Sequence, residues 1–366
     1  MEIKVIQEKL AKALNTVSRV ATSKITLPIL NNVLIRVDNK KVSLTTTNLD
    51  MAVVDYLPVS DSKDGVVTVP ARLLAEFVSN RPKGENITIS SKDTKVTISA
   101  GKYSSVINGT LADDFPELPE INEKKAVVFK IGVDEFKTSI NQVIIASSND
   151  LTRPALTGVY FNTINNELAV AATDGYRLAE KILVDKVESE VAAIVPTNSL
   201  QEVMRSLSDD IDEIEMSFSE DLVRFRMGEV EIISKLIDGS FPEYRKLFPT
   251  DNDIEVTLPK DELMRVTKLA ALFAREVGGS IACETKKPNI FSVKSVANEF
   301  GENDSEIETE VKVEGKVNLN SRFLIDALNA MEEDKIVFTF ASKISPVLIK
   351  NVKSKKYTHI IMPLNS

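Results

Sequence analysis

The 366-residue sequence holds a single cysteine, Cys283, and a single histidine, His359. One thiol excludes an internal disulfide and any Cys-rich zinc site, and a lone cysteine among apolar neighbours reads as a small core residue. One imidazole excludes histidine clusters for metal. A Ser-His-Asp or Cys-His pair would have to recruit it from within the strand-like run YTHIIMPL, residues 357–364. The phosphate-cradling patterns GxGxxG and GxxxxGK[ST] are missing, as is the zinc pattern HExxH. No run approaches the ~20 apolar residues of a membrane span. The opening residues, MEIKVIQEKL, lack the basic-then-apolar layout of a secretion signal, so a cytosolic location is expected. The acidic cluster SDDIDEIE (208–215) stands where a helix should hand over to a strand and reads as a solvated loop. No metal and no cofactor is expected.

What is present is ordinary globular composition, with 43% apolar and 27% charged residues, in a chain long enough for two or three domains. The formal net charge of -9 weighs against a partner as anionic as nucleic acid.

The chain repeats itself. IKVIQEKLAKAL, VTVPARLLAEFV, FKIGVDEFKTSI, AIVPTNSLQEVM, VTLPKDELMRVT and VNLNSRFLIDAL begin at residues 3, 67, 129, 193, 256 and 317 and align without gaps. Each reads as a short strand, a breaker and an amphipathic helix. The strand ends on Val5, Val69, Ile131, Val195, Leu258 or Leu319. Five positions later stand Leu10, Leu74, Phe136, Leu200, Leu263 and Leu324, and nine positions later Leu14, Val78, Ile140, Met204, Thr267 and Leu328. Those offsets share one helical face, so the stripe is a core stripe. Pro70, Pro196 and Pro259 mark the strand ends. Between helices the pattern turns to period two, as in residues 32–54 and 87–107, which predicts antiparallel hairpins.

A coarser repeat pairs the units. DDFPELPE (113–120) recurs as GSFPEYRKLFP (239–249), with Phe115 and Phe241 126 residues apart. Read as linkers, these stretches predict an α+β protein of three similar domains, 1–120, 125–246 and 251–366, each of two strand-helix-three-strand units.

Six helices each have an outer face to account for. Placed side by side about 10 Å apart in a closed ring, six leave a hole of only ~9 Å, whereas twelve from a head-to-tail dimer leave ~28 Å, enough for a double helix. The outward positions carry Lys12, Arg72, Arg205, Arg265, Lys268 and Arg322 against Glu8, Glu76, Asp134, Glu202, Asp261 and Asp326, an even balance. Several of those acids belong in first helical turns, where they favour the positive end of the dipole.

TLPIL (26–30), VPAR (69–72), ATDGYRLA (172–179), SKLIDGSFPEYRKLFP (234–249) and MPL (362–364) resemble the bacterial DNA sliding-clamp family, the beta subunits of DNA polymerase III, over the whole length. The resemblance implies a ring-shaped homodimer with helices lining the hole and sheets outside. Such a ring encircles double-stranded DNA and tethers the replicative polymerase subunit, clamp loader and repair proteins through short peptide motifs, without catalysis and without membrane contact. A ring that holds DNA by topology also tolerates an acidic exterior. The family's residue roles place Lys24, Arg72, Arg153 and Arg205 towards DNA. A partner-peptide pocket falls to Thr173, Gly175, Tyr176, Arg177, Leu178, Pro242 and Leu247, with Ile344, Pro346, Val347, Ile360, Met362, Pro363 and Leu364 as its far wall. The dimer edges fall near Lys102, Val106 and Asn108 on one side and Leu272 and Phe273 with the acidic run 297–310 on the other. Asn365 and Ser366 depart from the family's usual end. Two other classes stay open from the residues themselves: a repeat enzyme using Asp174 as acid or base, and an adaptor that does not touch DNA. Asp174-Gly175 by itself reads as a hairpin turn.

Overall fold

The computed structural model describes residues 1–21, 27–59, 61–248, 254–275, 278–297 and 301–364. All six expected strand-helix junctions are there. Strands Glu2–Ile6, Gly65–Pro70, Val127–Gly132, Ala192–Pro196, Ile254–Pro259 and Gly315–Asn320 run directly into helices α1 (Gln7–Ser18), α2 (Ala71–Ser79), α3 (Val133–Ile144), α4 (Thr197–Ser206), α5 (Lys260–Ala274) and α6 (Ser321–Ala330). Leu10, Leu74, Phe136, Leu200, Leu263 and Leu324 are completely buried, each such side chain stabilising by about 2 kcal/mol. At the position nine residues after the strand end, Leu14, Val78, Ile140, Thr267 and Leu328 are buried and Met204 is half-buried. The hairpins expected at 32–54 and 87–107 form as antiparallel ladders.

The chain divides into two compact units, residues 1–133 with 198–236 and residues 134–197 with 237–366. The large sheet of the first unit runs, in spatial order, Val127–Gly132, Glu213–Phe218, Leu222–Met227, Val230–Lys235, Met51–Pro58, Lys41–Thr47, Asn32–Asp38 and Gly65–Pro70. The large sheet of the second runs Ala192–Pro196, Gly158–Ile164, Glu167–Thr173, Arg177–Val184, Tyr357–Ile361, Val347–Asn351, Lys335–Phe340 and Ile254–Pro259. The middle third of the sequence therefore gives strands to both. Its hairpin Leu222–Met227 with Val230–Lys235 joins the first sheet by pairing with Met51–Pro58. Its strand Arg177–Val184 joins the second by pairing with Tyr357–Ile361.

Each unit has a smaller sheet with an open edge among the described residues. In the first it ends on Tyr103–Asn108, and in the second on Gly301–Glu308.

One buried charge ties the first unit's segments together. Glu202 on α4 is buried, and its carboxylate accepts from Arg19 Nε, just past α1, at 2.7 Å, while Arg19 Nη2 donates to Ser206 Oγ at 3.0 Å. Removing the guanidinium strands a buried carboxylate, so Arg19→Ala is expected to cost about 3 kcal/mol in denaturant unfolding. Glu202→Gln, which leaves the unpaired charge on Arg19, where water reaches it, should cost less.

Candidate functional site

The stretch Thr173–Leu178 forms the tip of a hairpin whose turn is closed by its own side chains. Gly175 has φ +92°, a conformation that favours glycine. Thr173 Oγ1 donates to Arg177 O at 2.6 Å and accepts from Gly175 N at 3.1 Å. Asp174 Oδ1 accepts from Tyr176 N at 2.8 Å and Arg177 N at 3.0 Å, and Oδ2 accepts from Arg177 Nε at 3.1 Å. The aspartate is thus engaged in shaping the turn, as the Asp-Gly pair suggested, and is not arranged as an acid or base. Among the described residues no cluster of His, Cys, Asp and Glu is arranged to hold a metal ion. Among the described residues no helix is long and apolar enough to cross a membrane.

Strand alternation then sorts the predicted site residues. Leu178 pairs with Ile360, and Ile360 with Leu348, so these three share one sheet face, where they cluster with Ala171 and Tyr244. Phe241 and Phe248 of the Pro-rich segment pack against that cluster with Tyr160. Around it lie exposed apolar groups: Tyr176 (62% exposed), Leu247 (42%), Ile344 (76%) and the exposed Pro242, with Pro346, Met362, Pro363 and Leu364 half-buried. The tail is pinned by backbone bonds, Met362 N to Tyr176 O and Leu364 N to Asn318 O, each 2.8 Å. Glu180 anchors the Pro-rich segment, accepting from the Tyr244 hydroxyl at 2.5 Å and from Arg245 at 2.9 and 3.0 Å. Burial and the neighbouring Glu180 charge push the Tyr244 hydroxyl's pKa up, keeping it a donor.

Two expected pocket residues turn the other way. Val347 pairs with Ile361 and is buried on the opposite face, whereas Leu348, one residue on, lies on the face of Leu178 and Ile360. Arg177 also lies on that opposite face, where Nη1 meets Asp326 Oδ2 of α6 at 2.5 Å and the guanidinium sits 4.5 Å over the Phe323 ring. It fastens the turn to α6 rather than lining the groove. Arg153, expected towards DNA, stands at the turn: its Nη1 is 3.2 Å from where a β-carbon on residue 175 would sit. No local pattern in the sequence signals any of the three, because each depends on register or on a contact between separate loops.

Arg72 on α2 and Arg205 on α4 are exposed in the first unit, as a role towards an anion requires. Lys24, Asn365 and Ser366 lie outside the described residues. Two of the six acids set against the six helix cations are already engaged, Glu202 by Arg19 at 2.7 Å and Asp326 by Arg177 at 2.5 Å. Lys102, Val106 (60% exposed) and Asn108 are exposed on or beside the open edge Tyr103–Asn108, while Leu272 is exposed and Phe273 half-buried on α5.

Family models for the N-terminal, central and C-terminal domains of the DNA polymerase III beta subunit match residues 1–119, 130–243 and 245–365. The chain belongs to the DNA polymerase III beta subunit family. It is 28% identical to the beta sliding clamps of Staphylococcus aureus and Staphylococcus epidermidis, over the full length of each chain. Among solved structures it resembles the DNA polymerase III subunit beta of Pseudomonas aeruginosa (25% identity, TM-score 0.94, full coverage of both chains). It also resembles the sliding clamp of Bacillus subtilis (26%, TM-score 0.94, 100% and 99% of the two chains). A further P. aeruginosa structure, at 25% identity and TM-score 0.94 with full coverage of both chains, is bound to griselimycin. Its role is that of a DNA sliding clamp, an accessory to a polymerase and not a catalyst.

Behind the apolar cluster, on the helix side, His359 is fully buried. The Tyr357 hydroxyl donates to Gln142 O at 3.1 Å and lies 2.9 Å from His359 Nδ1, so Nδ1 carries the imidazole proton. Burial, with Arg177 nearby, pushes the imidazole pKa down to about 3. The unfolded chain, at the ordinary value near 6.5, binds this proton more readily, so the stabilising contribution is complete above that value and is lost as pH falls towards about 3. Urea unfolding should therefore show a slope that steepens below pH 6.5 and exceeds that of His359→Gln by about 1.4 kcal/mol per pH unit near pH 5.

Proposed function

We propose that two copies of this chain close head to tail into a ring around double-stranded DNA in the cytoplasm, three clamp domains (1–120, 125–246, 251–366) per copy, with the helices facing the DNA and the sheets outside. The open edge Tyr103–Asn108 of one copy pairs with Gly301–Glu308 of the other, assisted by Lys102, Val106, Asn108, Leu272 and Phe273. Unpaired edges are an aggregation hazard unless a partner strand covers them, and these two differ in charge. One is uncharged, while the other carries Glu302, Asp304, Glu306 and Glu308 at alternate positions. Lys24, Arg72 and Arg205 face the DNA. Because topology does the holding, a few loose phosphate contacts suffice, and tight ones would impede sliding.

The replicative polymerase subunit, the clamp loader and repair proteins dock short peptides against the exposed apolar groups that border the second unit's buried cluster. The groove uses Thr173, Gly175, Tyr176, Leu178, Pro242, Leu247, Ile344, Pro346, Ile360, Met362, Pro363 and Leu364, together with Leu348 and Arg153, and Arg177 positions the turn. The observation that carries this reading is the set of exposed or half-buried apolar groups, Tyr176, Pro242, Leu247, Ile344, Met362 and Leu364, around the buried Leu178-Ile360-Leu348 cluster in a chain that matches the clamp family along its length. Such a surface suits aliphatic or aromatic anchors. Griselimycin bound to the clamps of P. aeruginosa and Bartonella birtlesii supports a ligand groove in this fold.

The ring is tested on nicked circular DNA. The loaded chain should stay on the circle and run off after linearisation, and equal retention on both forms would remove the ring. The groove is tested by Met362→Ala and Tyr176→Ala. Each should weaken a polymerase-derived peptide about tenfold, a change of ~1.4 kcal/mol, while sedimentation still reports the dimer.

A further inference from the structure

The hairpin tip of the second unit has a structural twin 126 residues earlier. In the first unit Thr47 Oγ1 donates to Met51 O at 2.9 Å, as Thr173 Oγ1 does to Arg177 O at 2.6 Å. Leu49 N donates to Thr47 Oγ1 at 3.1 Å, the same bond and length as Gly175 N to Thr173 Oγ1. Asn48 Oδ1 accepts from Met51 N at 2.8 Å where Asp174 Oδ1 accepts from Arg177 N at 3.0 Å, and Leu49 adopts φ +78° where Gly175 has +92°. The next strand follows suit: Lys235 N donates to Asp50 O at 2.9 Å, and Met362 N to Tyr176 O at 2.8 Å. The two units build the same frame from different side chains.

What differs is how the space between sheet and Pro-rich segment is filled. In the second unit Tyr160 stacks on Phe241 with centroids 4.8 Å apart, and Glu180 holds the Tyr244 hydroxyl and the Arg245 guanidinium. The residues 126 positions earlier are Leu34, Phe115, Val54, Leu118 and Pro119. An aromatic ring becomes leucine, the anchoring carboxylate becomes valine, and the tyrosine-arginine pair becomes leucine-proline. Beside these smaller groups the first unit has a groove of about 980 Å³, lined by Leu34, Val54, Phe115 and Leu118 and within the range of binding pockets. Its floor is Leu34, Val54 and Phe115, the exposed Tyr56 ring and Arg36 stand along it, and Asp113, Glu117 and Glu120 give the covering segment an excess of negative charge.

We propose that this groove of the first unit is a second docking site, and that its occupant is a short segment of a partner protein carrying an aromatic residue followed by arginine. The twin supplies the template, because tyrosine and arginine in that order fill the equivalent space. The charge agrees with it: three carboxylates against one guanidinium favour a cationic side chain, and the Tyr56 ring offers it a π face. The site is separate from the Leu178-Ile360-Leu348 face and does not rest on which proteins dock there.

The probe is a fluorescent peptide copying residues 240–246, SFPEYRK, which omits the apolar Leu247 and Phe248, titrated by anisotropy into the full chain. Saturable binding is expected. It should weaken at least fivefold with the surface variants Glu117→Lys and Glu120→Lys, or when the peptide's arginine is changed to alanine, and stay unchanged in Met362→Ala. The alanine peptide should no longer respond to the two charge reversals. Absence of saturable binding, binding indifferent to those reversals, or binding lost with Met362→Ala would each overturn the proposal. Circular dichroism of the variants separates a lost site from a lost fold.

Discussion

The antiparallel ladder between Arg177–Val184 and Tyr357–Ile361 brings together strands that lie about half a chain apart, and the register of that ladder decides what the site is made of. Pairing Leu178 with Ile360 puts both on the face that receives the Pro-rich segment. A slip of Arg177–Val184 by one residue would turn Arg177 outward and bury Leu178 against the helices. The register is guarded from both sides. Outside, Tyr244, Phe241 and Phe248 cover the apolar row. Inside, the Tyr357 hydroxyl bonds to His359 and to Gln142 O of α3, and Arg177 bonds to Asp326 on α6. The corresponding ladder of the first unit, Val230–Lys235 on Met51–Pro58, repeats the arrangement.

Charge is handled by the same economy of position. Buried Glu202 and Glu180 each meet an arginine, and buried Lys181 has Glu135 at 3.3 Å. Such pairs add little net stability, but losing one member is costly, so they make the arrangement specific more than they make it strong. They also enter the tally of helix charges: Glu202 is engaged by Arg19 and lies 3.9 Å from Arg205, Asp326 is engaged by Arg177, and Lys12 lies 3.4 Å from Asp210. A molecule of net charge -9 can then still present Arg72 and Arg205 to an anion.

The helices were readable because everything that starts them is local. An aliphatic strand end, a proline in three cases and a leucine or phenylalanine five residues on are enough to place all six junctions. The turn at Asp174-Gly175 was readable for the same reason. Sheet membership was not: nothing near Val230 says that its partner is Asp55, and nothing near Arg177 says that its partner is Ile361. Without the register, Val347 and Leu348 are equivalent aliphatic neighbours and only the ladder tells inner from outer. Without the fold, Arg153 is one more loop cation, and only the approach of its loop to Gly175 puts it at the groove. The sequence period marks the frame, and the long-range pairing marks the site.

In the proposed ring, the open edges Tyr103–Asn108 and Gly301–Glu308 would make the chain what a polymer chemist calls an AB monomer, a unit whose two reactive ends differ and combine with each other. In that scheme Glu302, Glu306 and Glu308, with Asp304 held by Lys294 at 2.5 Å, would disfavour pairing of the second end with its own kind. Such monomers have two fates, growth into a filament or cyclisation, and the balance depends on the effective concentration of one end near the other. When the second bond closes the cycle, no reactive end remains. Raising the protein concentration then makes more rings and not longer ones.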